Sequence, residues 1–160
     1  MTPDNILSIL SVDGDRICVE VRCLKDNDFD GADLSNADLR GMNFEGANFS
    51  DATLDYANLR GANCWTASFY RASMRYTDMR SGIFDGADFQ QADLTNADVR
   101  NSNFSNLGSE VVSDFSRAIM LGIQAEGANF FGAFYDESTI FSDDFDPDSH
   151  GMTLVERKQK

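Results

Sequence analysis

The sequence is poor in the residues from which catalytic and disulfide-built proteins are made: of 160 residues only one is histidine, two are proline and three are cysteine. A single histidine, His150, supplies neither a base near neutral pH nor a metal-ligand cluster, and no glycine-rich phosphate loop or nucleophile elbow occurs. No catalysis, cofactor or metal site is expected. Cys18, Cys23 and Cys64 are an odd number and make poor material for a disulfide framework. They imply a reducing, cytoplasmic setting with three thiols, with a Cys18/Cys23 redox pair as the alternative. No apolar run approaches the roughly 20 residues of a membrane helix, and no basic stretch leads an apolar core at the N-terminus, so neither membrane insertion nor export is expected. Basic residues are also scarce, 13 against 27 acids, for a net charge of −14. Such a chain is repelled by nucleic acid and by anionic membranes, which argues against binding either directly.

What the sequence does have is a period. Stepping by five from Phe29, the chain reads Phe29, Leu34, Leu39, Phe44, Phe49, Leu54, Leu59, Cys64, Phe69, Met74, Met79, Phe84, Phe89, Leu94, Val99 and Phe104, all apolar. At 42% apolar composition this run has a chance of about one in a million. Two residues before each stands a small residue, mostly alanine, with Asn27 and Met42 the departures. Between them sits mostly Asp, Asn, Ser or Thr, giving words such as Ala32-Asp33-Leu34 and Ala47-Asn48-Phe49.

A period of five fits neither a straight helix nor a straight strand. Within a word, residues two apart share one side of an extended chain, so the small and the large residue point in and the polar one points out. A bend of about a right angle over the next two residues, where Gly31, Asn36, Gly41, Gly46, Asp51, Gly61, Gly86 and Asn96 stand, presents the next pair inward. Four bends close a square coil of twenty residues. Coils stacked about 4.8 Å apart then satisfy one another's backbone as in a parallel sheet.

These words resemble those of the pentapeptide-repeat proteins: Ala, Asp or Asn, Leu or Phe, then two variable residues. The resemblance covers about three quarters of the chain. It implies an all-β fold, a right-handed quadrilateral parallel β-helix, often capped at its ends and sometimes paired into a dimer.

The expected organisation is a cap over residues 1–26, the β-helix over 27–146 with an interruption near 105–114, and a flexible tail over 147–160. The cap reads as a hairpin around Val12-Asp13-Gly14-Asp15, plugging an open end that would otherwise invite aggregation. After Phe104 the register fails and resumes one residue out of phase at Phe115, Met120, Ala125, Phe130, Tyr135, Ile140 and Phe145. Either a one-residue bulge or short loop around 108–112 or a helix over 109–121 accounts for the shift.

On the surface, Arg40, Arg60, Arg80 and Arg100 recur every twenty residues and should form one column beside Asp38, Asn58, Asp78 and Asp98. The column is either a ladder of ion pairs between neighbouring coils or a docking strip for a carboxylate-bearing partner. Charge is uneven along the axis: −6 over residues 27–55, +3 over 56–84 and −9 over 85–144. The positive band also holds outward Tyr56, Trp65, Tyr70 and Tyr76. With Arg60, Arg75 and Arg80 these form a candidate contact belt, since Trp, Tyr and Arg anchor interfaces. The other reading is that large side chains merely cover the sheet.

The function expected is therefore a non-catalytic scaffold that binds another protein or its own copy, with a homodimer possible. The family resemblance supplies an alternative, an acidic rod that mimics duplex DNA and modulates a type II topoisomerase such as gyrase. The repeats carry about one negative charge per 2.4 Å against about one per 1.7 Å in DNA, although the positive band interrupts them.

Overall fold

The computed structural model describes residues 6–20, 27–105 and 111–156. Every fifth-residue apolar side chain from Phe29 to Phe104 is buried, as are the alanines two residues before them. The backbone exchange that fixes this is the same on every side of the coil. Leu34 N–H donates to the Thr53 carbonyl at 2.7 Å, and Thr53 N–H donates back to the Ala32 carbonyl at 2.9 Å. Parallel bridges such as Asp28↔Asn48, Asp33↔Thr53, Asp38↔Asn58 and Asn43↔Asn63 join residues 20 apart, so four words make one lap. The four sides of the rod are numbered here from these four rungs.

The corners follow from hydrogen-bond accounting. Ala32 N–H closes a four-residue turn on the Phe29 carbonyl at 2.9 Å, and the third residue of that turn, Gly31, has φ of 67°, as a type II turn demands. The first corner residue's N–H has no partner in the ladder. The word's polar residue takes it: Asp33 Oδ1 accepts from Ser35 N–H at 3.0 Å, Asn58 Oδ1 from Arg60 at 3.1 Å and Asp88 Oδ1 from Gln90 at 2.9 Å. Asp and Asn recur at this position because a short side-chain acceptor caps the turn. A large share of the negative charge is thus a by-product of corner chemistry.

Inside, Phe29, Phe49, Phe69, Phe89 and Phe115 stack at 4.8 to 5.1 Å with planes within 9°. Where the small position is polar it is satisfied: Thr77 Oγ1 donates to the carbonyls of Leu54 or Met74, and Ser102 Oγ to that of Met79. At Gly82 a Cβ would lie 2.4 Å from Cε2 of Phe84, so the tilted Phe84 ring occupies the space that a methyl group takes elsewhere.

Beyond 105 the structure settles the open readings. Asp88↔Asp114 and Asp93↔Ile119 join residues 26 apart, so a loop of six extra residues is inserted. A period of five hides one whole step of it, leaving the phase shift of one. Residues 111–121 are not helical: Asp114 bridges Asp88, Phe115 is fully buried and β3 (Ile119–Met120) pairs in parallel with β5 (Ile140–Phe141). Residues 106–110 lie outside the described ones.

Two further expectations are corrected. Ile140 does not continue the inward series: it is exposed, and Phe141 turns in beside Tyr135 and Phe145. The turn at 136–139, held by Asp136 Oδ1 accepting from the Ser138 and Thr139 side of the loop, adds the extra residue. Nor is 147–156 a loose tail. β6 (Thr153–Leu154) pairs in parallel with β4 (Phe134–Tyr135), Met152 is buried, and Val155 N–H donates to Tyr135. Gly151, at φ of 73°, makes the corner that brings this segment back onto the stack.

At the other end β1 (Ile6–Leu10) and β2 (Arg16–Glu20) form an antiparallel hairpin with Gly14 in its turn. Ser11 bridges Ala37 in antiparallel sense, and Asp38 N–H donates to the Leu10 carbonyl at 2.8 Å. The first lap's open edge on side three is thereby occupied.

Candidate functional site

The proposed contact residues all project from corners, and their spacing decides which share a surface. Tyr56 and Tyr76 stand on the corner between sides two and three, one lap apart. Their rings stack at 4.9 Å with planes 2° apart, about half of each exposed. Both have positive φ, 61° and 58°, a conformation that costs a bulky residue of the order of 1 to 3 kcal/mol. Beside them Arg75 grips Asp55 a lap below, through Nε at 3.0 Å and through Nη2, while Ser73 Oγ donates to the same carboxylate at 2.6 Å. Asp55 is buried. Burial alone would raise its carboxyl, but Arg75 and Ser73 hold it below the ordinary value.

Arg60 and Arg80 rise from the next corner, across side three. Arg40, Arg80 and Arg100 each form a two-pronged pair within their own lap, with Asp38, Asp78 and Asp98. The column is therefore not the ladder between laps that its spacing suggested: only Arg80 reaches across, to Asp98 at 3.4 Å. The arginine hydrogen bonds hold Asp38 and Asp98 below the ordinary carboxylate value. Arg60 differs because Asn58 stands where the others have Asp. Among the described residues it is the column's one arginine without an ion pair, a feature legible in the sequence as a single Asp-to-Asn change.

Trp65 and Tyr70 do not join this surface. Ten residues are half a lap, so Trp65 projects from the corner diagonally opposite the tyrosine pair, between sides four and one. Tyr70 stands between sides one and two, its hydroxyl accepting from Gln91 Nε2 at 2.9 Å with the Arg71 guanidinium 6.0 Å from its ring. The belt is a ring around the rod, and one flat partner cannot touch all of it. The sequence reading missed Ile83, the single apolar residue at the outward position before 105 and 46% exposed. It is 18 residues from Trp65, the spacing that puts the Ser50 and Ser68 hydroxyls 3.1 Å apart.

Cys64 is fully buried on side four between Phe44 and Phe84, and burial pushes its thiol far up. Cys23 lies outside the described residues, so the Cys18/Cys23 pairing does too. His150 stacks on Phe145 at 4.3 Å. Among the described residues no group of His, Cys, Asp and Glu is placed to hold a metal ion.

Against known proteins, residues 28–106 match the pentapeptide-repeat model in overlapping segments, eight copies in all. Among solved structures, the pentapeptide-repeat protein Rfr23 from the cyanobacterium Cyanothece is similar at 26% identity and a TM-score of 0.58, over 62% of this chain and 64% of that one. HetL from the cyanobacterium Nostoc, a pentapeptide-repeat protein involved in heterocyst differentiation regulation, is similar at 23% identity and 0.58, over 75% and 56%. Trypsin-treated QnrB1, a plasmid-mediated fluoroquinolone resistance protein, is similar at 26% identity and 0.41, over 79% and 77%. The chain thus spans less than two thirds of Rfr23 and of HetL. No curated protein matches it. The chain belongs to the pentapeptide-repeat family, and its fold is the right-handed quadrilateral parallel β-helix.

Proposed function

We propose that the protein is a non-catalytic, cytoplasmic scaffold that docks another protein on side three, between the Tyr56/Tyr76 corner and the Arg60/Arg80 corner. One observation carries this reading: two stacked, half-exposed tyrosines held in left-handed conformation stand across side three from an arginine that lacks the carboxylate its column-mates have. Strain of this kind persists where surroundings impose it and is found at contact sites. Tyrosine and arginine are the residues that dominate interface energetics. The partner surface is a flat one with an apolar patch for the rings and a carboxylate for Arg60.

Duplex mimicry is the weaker reading, because many aspartates face corner N–H groups and three are neutralised by arginines on the same side. An affinity capture comparing the parent protein with Tyr76→Ala, Arg60→Ala and Trp65→Ala discriminates. Loss of about 2 kcal/mol, roughly thirtyfold in affinity, is expected for Tyr76→Ala, with Trp65→Ala unchanged. An undiminished partner in Tyr76→Ala together with inhibition of gyrase supercoiling by the parent would replace this reading with the topoisomerase one.

A further inference from the structure

Side three ends a lap before sides one and two, as side four does after Asn129. Its rungs run Asp38, Asn58, Asp78, Asp98 and Gln124 and then stop, because residues 142–150 leave the ladder and fold over the top of the core, where Phe145 stacks between Phe141 and His150. A cavity of about 520 Å³ opens above the last rung, bordered by Ile123, Ala125, Glu126, Asp144, Phe145 and His150. In every lower lap one incoming residue satisfies two backbone groups: Asn58, for instance, donates to the Ala37 carbonyl and accepts from Leu39 N–H. The matching pair in the last lap, the Ile123 carbonyl and the Ala125 N–H, has no partner among the described residues, and neither has the Gly127 N–H.

The side chains on this rung depart from the repeat in a way that leaves room. Lower laps carry Leu39, Leu59, Met79 and Val99 at the large inward position, whereas this one carries Ala125, with Ile123 at the small position. The apolar column thus ends on a methyl group below the cavity. The charge also reverses. The arginine column Arg40, Arg60, Arg80 and Arg100 ends in Glu126, and Asp144 lines the same cavity. Arg100, one lap below Glu126, is committed to Asp98.

The geometry points to a β-strand docking site: an extended segment of a partner protein adds one further rung above Gln124, reading small residue, polar residue, large apolar residue, then arginine. The polar residue's N–H and C=O pair with the Ile123 carbonyl and Ala125 N–H. The large side chain fills the hollow over Ala125, and the arginine lies over Glu126 as Arg75 lies over Asp55 twenty residues earlier. Strand addition to an open sheet edge takes its affinity from the main chain and its specificity from such alternate pockets. This site is separate from the tyrosine surface and does not depend on it.

The test is fluorescence anisotropy with the intact protein and a labelled nine-residue peptide built around Ala-Asn-Leu-Arg-Gly, the repeat's own word for this register. Binding is expected, weakened about tenfold by N-methylation of the peptide's Asn and about tenfold by replacing its Arg with Glu, each change removing one charge-assisted or edge hydrogen bond. Glu126→Arg should invert the charge preference, favouring the Glu peptide, and because Glu126 is exposed this variant keeps the fold. Absence of binding, or binding indifferent to N-methylation, overturns the proposal. So does sedimentation showing a dimer that Glu126→Arg dissociates and that excludes the peptide, since the edge would then belong to a second copy.

Discussion

The middle laps and the last laps solve the same corner differently. The corners from Gly31 to Gly132 turn on a residue with positive φ. In the first lap it is Gly31, Asn36, Gly41 or Gly46, and in the last laps Gly122, Gly127, Gly132 and Gly151, with Arg117 the exception. Between them the position is held by Asp51, Tyr56, Thr66, Arg71, Tyr76, Ser81, Gln91, Asn96 and Asn101, with glycine only at Gly61 and Gly86. A middle corner is gripped from both sides, as Tyr56 N–H is by the Arg75 carbonyl above and Asn36 N–H by Asp55 below. The Gly31, Gly41 and Gly46 corners carry only the bond to the lap above, and the Gly127 N–H has no backbone partner among the described residues. Strain is therefore tolerated where the ladder over-determines the backbone and avoided where it does not. Large side chains at the left-handed corner position are, Arg117 aside, confined to the middle by the same logic.

The largest effect that would break this comparison is in the core. Phe69 is fully buried and stacked between Phe49 and Phe89, so Phe69→Ala should cost about 3 to 5 kcal/mol. Phe141, in the end laps, is partly exposed, and Phe141→Ala should cost less than half as much. Equilibrium urea unfolding of both variants checks it. Equal losses would mean that the last laps are held as tightly as the middle ones.

The period also shows how much of this was legible. An inward residue every fifth position dictates the word, the corner and the twenty-residue lap, because only one arrangement buries that set while pairing its backbone. Period alone gives phase modulo five, so the insertion after 105 was visible as a shift of one and not as six residues. It also could not foresee that Asp136 would stall the count and put Phe141 inward in place of Ile140, or that residues after Pro147, which lack a clear word, would return to the ladder through Gly151. For the surface, spacing placed Tyr56 above Tyr76 but pooled residues from four corners into one belt. Corner geometry, not sequence proximity, decides adjacency.

A smaller effect sharpens the contrast at the tyrosine corner. Asp55→Ala would leave Ser73 and the Arg75 N–H without their acceptor, a loss of about 2 kcal/mol and a fall in Tm of roughly 4 to 8 °C. The Asp55 carboxyl is held below its ordinary value in the folded protein, so the stabilisation is fully present above the usual carboxylate range, near about 4, and is lost as pH falls through the lower folded value. The difference between parent and variant should be constant from neutral pH down to that range and shrink below it. A difference that instead shrank on raising the pH above neutrality would assign the effect to another group.

The smallest effect is the most direct probe of strain. Thr66 is β-branched at φ of 54°, its hydroxyl bonded only to the Trp65 carbonyl. Thr66→Gly relieves a cost of the order of 1 to 3 kcal/mol against about 0.5 to 1 kcal/mol of added unfolded-state freedom. It should stabilise the protein by a net of roughly 0.5 to 1 kcal/mol. The reciprocal change in the first lap, Gly41→Thr, meets no atom within 4 Å of its Cβ, so any loss there is conformational alone. It should destabilise by about 1 kcal/mol or more, because the first lap is braced less firmly. If thermal unfolding showed Thr66→Gly to be neutral and Gly41→Thr to be harmless, left-handed corners would carry no strain in this rod. The placement of tyrosine and threonine in its middle would then owe nothing to the ladder.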